Sequence, residues 1–314
     1  MKRNSSTPLF FSATSRFPRF HSFAGLCLVG LGLLLAPSSS RAATPIVNFN
    51  YNETGTNAAN SGSAGGTSTL YDFSGNATDL HSAGGTGVSG LAGDRALDLT
   101  AAASMGGDGP RQDIGNLAAV NGLSSFTIAG WFKTAGSDPL GGPARLVEFE
   151  TGSAGFKLWA ANTSGAMALT VNGANNTSTV SGNGTFGQTS EWVFFAVTYD
   201  GTSSTNNVNF YAGNLTSSPV LAANLTFDEG LVNSVPGDVY LTVGNNQYAS
   251  RGFDGWMDNF AIYGSTSNGS GAISFSDITA KYNADLIPEP SVISLVALTI
   301  LGVSLAARCR KQTA

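Results

Sequence analysis

Short apolar runs separated by Gly, Asn, Asp and Ser fill the middle of the chain. Eight of these runs have the β-branched and aromatic composition typical of strands: residues 125–134, 145–151, 155–161, 166–173, 191–201, 207–214, 239–246 and 255–264. Asn172-Gly173 and Asp200-Gly201 are tight-turn signals beside them. Many short strands with almost no helical periodicity predict an all-β fold, a two-sheet antiparallel jelly-roll sandwich.

The run at residues 192–199 is apolar on both of its alternating faces. One face carries Trp192, Phe194 and Ala196, and the other carries Val193, Phe195, Val197 and Tyr199. Because such a strand needs cover on both sides, we expect it in the centre of a sheet.

One short helix is predicted near the end of the domain, in the segment at residues 274–286. Ser274 or Ser276 can cap it, and Ile278 and Tyr282 fall on one face.

The N-terminal apolar run, residues 23–37, has the features of a secretory signal peptide. Basic residues precede it, and Ser40 and Ala42 occupy the small-residue positions of a cleavage site. We therefore expect residues 1–42 to be a signal peptide and the mature chain to begin near Ala43.

The C-terminal run, Ser291 to Ala307, carries no charge. As a helix it would extend roughly 25 Å, near the lower limit for a membrane span. A buried core helix is the alternative, but it would normally show a polar stripe, which this run lacks. The run predicts a transmembrane helix at 291–307. Arg308, Arg310 and Lys311 follow it and are expected on the cytoplasmic side.

Residues 287–314 resemble the PEP-CTERM sorting signal of Gram-negative bacteria. The order of Pro288-Glu289-Pro290, apolar span and basic tail carries the resemblance. It implies a sorting protease of the exosortase type as partner, transient or permanent anchoring in the inner membrane, and export to the cell surface or extracellular matrix.

The composition of residues 43–287 excludes several classes of function. Seven Lys and Arg residues stand against 19 Asp and Glu residues, a net charge of −12, so nucleic acid is not an expected partner. Both cysteines, Cys27 and Cys309, lie outside this segment, which therefore has no disulfide. His81 is its only histidine, so a His/Cys zinc site cannot form and a Ser-His-Asp triad would need His81. No linker divides the segment, and we expect one domain at 43–286.

The order of motifs in this domain resembles the laminin G-like members of the concanavalin A-like lectin/glucanase superfamily. The matching positions are Trp192, Tyr199, Asp200 and Gly201, followed by Gly255, Asp258 and Tyr263. The resemblance implies a jelly-roll fold; it is less specific for activity, because this superfamily contains lectins, hydrolases and adhesive modules.

Glu148 and Glu150 are the candidate catalytic residues. At i and i+2 on a strand they point to the same face, as the acid and nucleophile of a glycosidase do. The glucanase motif of this superfamily has an Asp and a second Glu that the segment lacks, so an exposed, non-catalytic pair is the alternative.

Calcium is the candidate cofactor. The resemblance implies a rim site built from Asp side chains and backbone carbonyls, with Asp254, Asp258 and Asp72 as candidate ligands. The alternative for Asp258 is hydrogen bonding to nearby backbone amides.

Two tryptophans are candidates for stacking on sugar rings, Trp256 and Trp159. Trp131 and Trp192 lie in strongly apolar strands and are expected in the core.

Together these features favour an exported, non-catalytic module that binds extracellular polysaccharide or mediates adhesion. A diverged glycoside hydrolase or polysaccharide lyase and a structural matrix component without a specific ligand are the alternatives.

Overall fold

The structure is a computed structural model that describes residues 43–100, 109–135, 144–160, 166–173, 178–180 and 190–287. The strands in these ranges form two antiparallel sheets, as predicted. The first sheet contains β1 (Val47–Phe49), β4 (Leu97–Asp98), β6 (Ser125–Thr134), β11 (Val193–Asp200), β12 (Val208–Asn214), β13 (Ser217–Leu225) and β15 (Gly255–Ser265). The second sheet contains β2 (Asn57–Ala59), β3 (Thr67–Tyr71), β5 (Arg111–Gly115), β7 (Ala144–Thr151), β8 (Ala154–Ala160), β9 (Met167–Val171), β10 (Ser178–Val180) and β14 (Leu241–Val243).

Strands that are far apart in the sequence pair within both sheets. The order in the first sheet is β1-β15-β6-β11-β12-β13, with β4 also paired to β15. The order in the second sheet is β10-β9-β8-β7-β14-β5-β3-β2. Such long-range antiparallel connections are consistent with a jelly-roll sandwich.

Side chains from both sheets meet in one hydrophobic core. Phe126 of β6 and Phe156 of β8 stack across it, with ring centroids 4.7 Å apart. The odd-numbered set of β11 also enters this core: Val193, Phe195, Val197 and Tyr199. β11 lies between β6 and β12, so the predicted central position is confirmed.

A helix, α1 (Phe275–Leu286), covers the outer face of the first sheet, meaning the face turned away from the second sheet. The Ser274 hydroxyl accepts a hydrogen bond from the Asp277 N–H at 3.2 Å and caps the helix, as predicted. Beneath it lies the helix-side cluster, which includes Trp131, Trp192, Phe194, Ala196, Ile278 and Tyr282. The second apolar face of β11 is therefore buried in this cluster.

Among the described residues, no helix is long and apolar enough to cross a membrane. The predicted signal peptide (1–42), sorting motif (288–290), membrane span (291–307) and basic tail lie outside the described residues.

Candidate functional site

The outer face of the second sheet carries polar side chains in register across six strands. From β3 to β9 the Cα partners are Thr69, Asp113, Thr242, Glu148, Lys157 and Thr170. Strand alternation sends their apolar neighbours into the core on the other side. Within the described part of the chain, the single α-helix packs on the other sheet. The outer face of the second sheet is therefore polar where that of the first is apolar, although Thr242 and Thr170 within the row are buried.

Two ion pairs occupy the β7–β8 side of this face. The Arg145 Nε donates to Glu148 Oε2 at 2.6 Å, and the Lys157 Nζ lies 2.7 Å from Glu150 Oε2. These four side chains keep only 11–19 % of their accessible surface. Burial raises the pKa of Glu148; Arg145 opposes that shift, and the negative charge of Glu150 adds to it. The two predicted carboxylates do share one face, and each has a cationic partner.

The β3–β5 side of the same face is more open. Tyr71, Arg111 and Asp113 are half-buried there. The guanidinium carbon of Arg111 lies 5.0 Å from the centroid of the Tyr71 ring, a cation–π contact between paired strands. Burial raises the pKa of Asp113, and the Gly115 N–H and the Arg111 charge oppose this.

The loop at residues 244–254, between β14 and β15, is held by two buried asparagines. The Asn245 Oδ1 accepts from the N–H groups of Asn246 and Arg251, each at 2.8 Å. Its Nδ2 donates to the Gly109 carbonyl oxygen at 2.9 Å. Asn246 Oδ1 in turn accepts from the Ser250 N–H at 2.9 Å. These bonds fix the loop against the start of β5.

Tyr248 projects from this fixed loop with 76 % of its surface exposed. The next residue, Ala249, has φ +57°, a left-handed conformation that costs energy in a non-glycine residue. The Gly109 N–H donates to the Ala249 carbonyl oxygen at 3.2 Å. Since Gly109 lies two residues before Arg111, about 7 Å along an extended chain, the loop that carries Tyr248 contacts the segment leading into Arg111.

Asp258 is a buried carboxylate of β15, in the first sheet, that binds a loop distant in the sequence. Asp258 is fully buried; its Oδ2 accepts from the Val88 N–H at 2.8 Å and its Oδ1 from the Asn259 N–H at 2.7 Å. Burial raises the pKa of Asp258 well above its ordinary value. The side chain thus joins a distant loop to β15.

A laminin G family model, described as the concanavalin A-like lectin/glucanases superfamily, matches residues 106–270. The chain belongs to this superfamily. The resemblance predicted from the strand motifs is confirmed at that level.

Among solved structures, this superfamily member is similar in fold to a mutant of HCR/D, with 15 % identity and a TM-score of 0.48. The match covers 77 % of this chain and 51 % of the other, so the chain spans about half the length of that protein. It is also similar to domain 4 of AbnA, a GH43 extracellular arabinanase from Geobacillus stearothermophilus in complex with arabinotriose. That match has 12 % identity and a TM-score of 0.46, and covers 76 % of this chain and 98 % of the other. A comparison with curated protein sequences finds no match.

The three candidate calcium ligands do not form a carboxylate cluster in this superfamily member. Among the described residues, no group of three or more His, Cys, Asp or Glu side chains is placed to hold a metal ion. Both Asp258 oxygens accept backbone N–H groups, and Asp72 Oδ1 accepts from the N–H groups of Ser74 and Asn76. Asp254 is buried beside β15. A site that uses fewer carboxylates and more carbonyls stays a prediction.

The tryptophans divide between the two sheets. Trp159 is half-buried on the outer face of the second sheet, in register with Arg145. Trp256 is half-buried on the first sheet, and the Lys133 Nζ lies 4.8 Å from its ring centroid. Trp131 is fully buried, in the helix-side cluster rather than between the sheets. Trp159 is therefore the better placed of the two stacking candidates.

The His81 side chain is buried and pairs with Asp79. Its Nδ1 lies 2.7 Å from Asp79 Oδ1, and its ring is fully buried. Its Nε2 has no hydrogen-bond partner in the part of the chain that is described, so a serine hydroxyl does not complete a triad there.

Sequence reasoning missed Tyr71, Arg111 and Tyr248. Arg111 alternates with the buried Gln112 along β5, a pattern that indicates an outward-facing side chain but not its neighbours. The pairing of β5 with β3 joins Arg111 to Tyr71, and the bond between Gly109 and Ala249 joins the Tyr248 loop to the segment before β5.

Proposed function

We propose that the chain is a non-catalytic carbohydrate-binding or adhesive protein. Its binding surface is the outer face of the second sheet together with the loop at residues 244–254. The contrast between the two sheets carries the proposal: α1 seals the outer face of the first, while that of the second has polar side chains in register and half-buried aromatic rings. Sugar rings stack on aromatic faces, and their hydroxyls bond to the polar groups between them.

Aromatic rings lie on both sides of the proposed surface. Trp159 and Tyr71 lie on strands separated by four strand spacings in the second sheet, roughly 19 Å. The polar residues in register lie between them, and Tyr248 adds an exposed ring at the rim. This length suits an extended polysaccharide chain better than a single sugar.

The proposed ligand is an extracellular polysaccharide, met at the cell surface or in an extracellular matrix after export. Cleavage near Pro288-Glu289-Pro290 by an exosortase-type protease would release the chain from the inner membrane. Mass spectrometry of the protein from its host is expected to find nothing beyond about residue 290. A C-terminal peptide containing Arg308 to Ala314 would instead indicate a permanent anchor.

A diverged glycoside hydrolase or polysaccharide lyase is the second candidate. The raised pKa of Glu148 favours it, because a general acid must keep its proton at a higher pH than an ordinary carboxyl does. The ion pairs with Arg145 and Lys157 weigh against it, since they hold both carboxylates to cations.

Binding to a polysaccharide array, with calcium and again with chelator, tests the proposed function. We expect the purified protein to bind, and Trp159→Ala and Tyr248→Ala to weaken binding roughly two- to tenfold each. Phe275→Ala is the control, because this exposed ring lies on the first-sheet side. Binding lost only with chelator would support the calcium site.

Two outcomes would contradict the proposal. Absence of binding to every polymer would favour a structural matrix role. Released saccharides that disappear in Glu148→Gln would favour the hydrolase or lyase.

A further inference from the structure

Most cationic side chains of the described domain already have a partner. Arg145, Lys157 and Lys281 form ion pairs, and Lys133 lies between the rings of Trp192 and Trp256. Arg111 differs. No carboxylate of the described residues forms an ion pair with it. Its buried Nε has no hydrogen-bond partner in the same part of the chain.

A buried arginine Nε–H without an acceptor has a specific chemical meaning. A buried N–H group without an acceptor costs free energy, so such groups are uncommon unless a ligand or water completes them. The Nε–H and the adjacent Nη–H of arginine form a planar fork that matches the two oxygens of a carboxylate or sulfate. The Tyr71 ring packs against this guanidinium group, with its centroid 5.0 Å from the guanidinium carbon.

We propose that Arg111 and Tyr71 form a subsite for the acidic group, carboxylate or sulfate, of an anionic polysaccharide. The inference rests on the proposed function and names its ligand class.

Because the domain has a net negative charge, binding of an anionic polysaccharide depends on a local positive charge such as that of Arg111. With a net charge of −12 over residues 43–287, the domain repels polyanions at long range. An anionic chain is therefore accepted only where a cation offsets the repulsion at the contact. Arg251, exposed in the loop at residues 244–254, adds a second positive charge beside the same end of the sheet.

The test compares three polymers with the purified full chain at about 0.15 M salt, where screening limits long-range effects. Polygalacturonate supplies carboxylates, dextran sulfate supplies sulfates, and dextran is neutral. We expect at least one anionic polymer to bind about tenfold or more tightly than dextran.

Arg111→Gln is expected to remove that preference, weakening anionic binding by about tenfold or more. Lys133→Gln makes the same charge change on the outer face of the first sheet and is expected to leave binding unchanged. Arg111→Lys keeps the positive charge but not the planar pair of N–H donors, and its affinity for the anionic polymer should fall between those of wild type and Arg111→Gln. This variant keeps the test decisive if Arg111→Gln folds poorly. Thermal melts verify that each variant is folded.

The outcomes separate the two proposals. Preferential binding of polygalacturonate identifies a carboxylate subsite. Preferential binding of dextran sulfate identifies a sulfate subsite. Equal binding of all three polymers, or anionic binding unaffected in both Arg111 variants, overturns the acidic subsite and leaves carbohydrate binding standing. Absence of binding to these polymers and to the wider array overturns both.

Discussion

Replacing Trp131 by Ala is expected to lower the free energy of unfolding by about 3–5 kcal/mol. The side chain is fully buried between the first sheet and α1. Its ring centroid lies 5.3 Å from that of Phe194 and 5.4 Å from that of Tyr282. Its Nε1 donates to Asp285 Oδ2 at 2.9 Å. Truncation removes both ring contacts and leaves a buried carboxylate short of one donor.

Urea denaturation of wild type and variants measures this effect. Tyr248→Ala is the matched control, because that aromatic side chain is 76 % exposed and its removal should cost less than about 0.5 kcal/mol. Trp131→Phe keeps much of the packing and should fall between the two. A loss below about 1 kcal/mol in Trp131→Ala would mean that α1 is not packed on the sheet as described.

Stability is expected to fall as pH rises above about 4, the ordinary pKa of an aspartate. Burial raises the folded-state pKa of Asp258 and Asp285, so the folded protein binds protons more tightly than the unfolded chain does. The stabilisation from each group is fully present below an unfolded pKa of about 4 and is lost as pH rises through the raised pKa. The unfolding free energy then changes by up to about 1.4 kcal/mol per pH unit and group.

Asp258→Asn isolates the larger contribution. The Asp94 and Asp285 charges face Asp258 and raise its pKa, and Lys281 lies alongside, bonded to Asp285 and to the Asn259 carbonyl. The amide oxygen of Asn can replace only one of the two accepting oxygens, so either the Val88 or the Asn259 N–H loses its acceptor, but the amide carries no charge to desolvate.

The variant should lose less stability than wild type as pH rises above about 4, which gives a flatter profile of melting temperature against pH. Asp238→Asn removes an exposed carboxylate and should leave the wild-type slope intact. Parallel profiles for wild type and Asp258→Asn would show that Asp258 does not titrate in this range.

Strand prediction succeeds where local pattern and burial agree. The run at residues 125–134 coincides with β6, whose side chains are almost all buried. β13 escapes prediction because Pro219 and small or polar residues dominate it, as an edge strand allows. Its Val220 and Leu221 are exposed, so they give no alternating signal.

The candidate site is harder to predict, because it depends on contacts between distant segments. Alternation along β7 is enough to place Glu148 and Glu150 on one face. When both faces of a strand are apolar, alternation does not show which face packs against the other sheet. Trp131 is therefore predicted to be buried, but its contact with α1 is not predicted. Arg111 meets Tyr71 only through the β3–β5 pairing, across 40 residues, a relation that local periodicity does not encode.

Amide hydrogen exchange of the protein with and without the tightest-binding polysaccharide tests the location of the binding surface most directly. The proposed surface predicts slower exchange in β3, β5 and the loop at residues 244–254, with little change in α1 and β13. Slower exchange confined to α1 or the first sheet, with the second sheet unchanged, would contradict it.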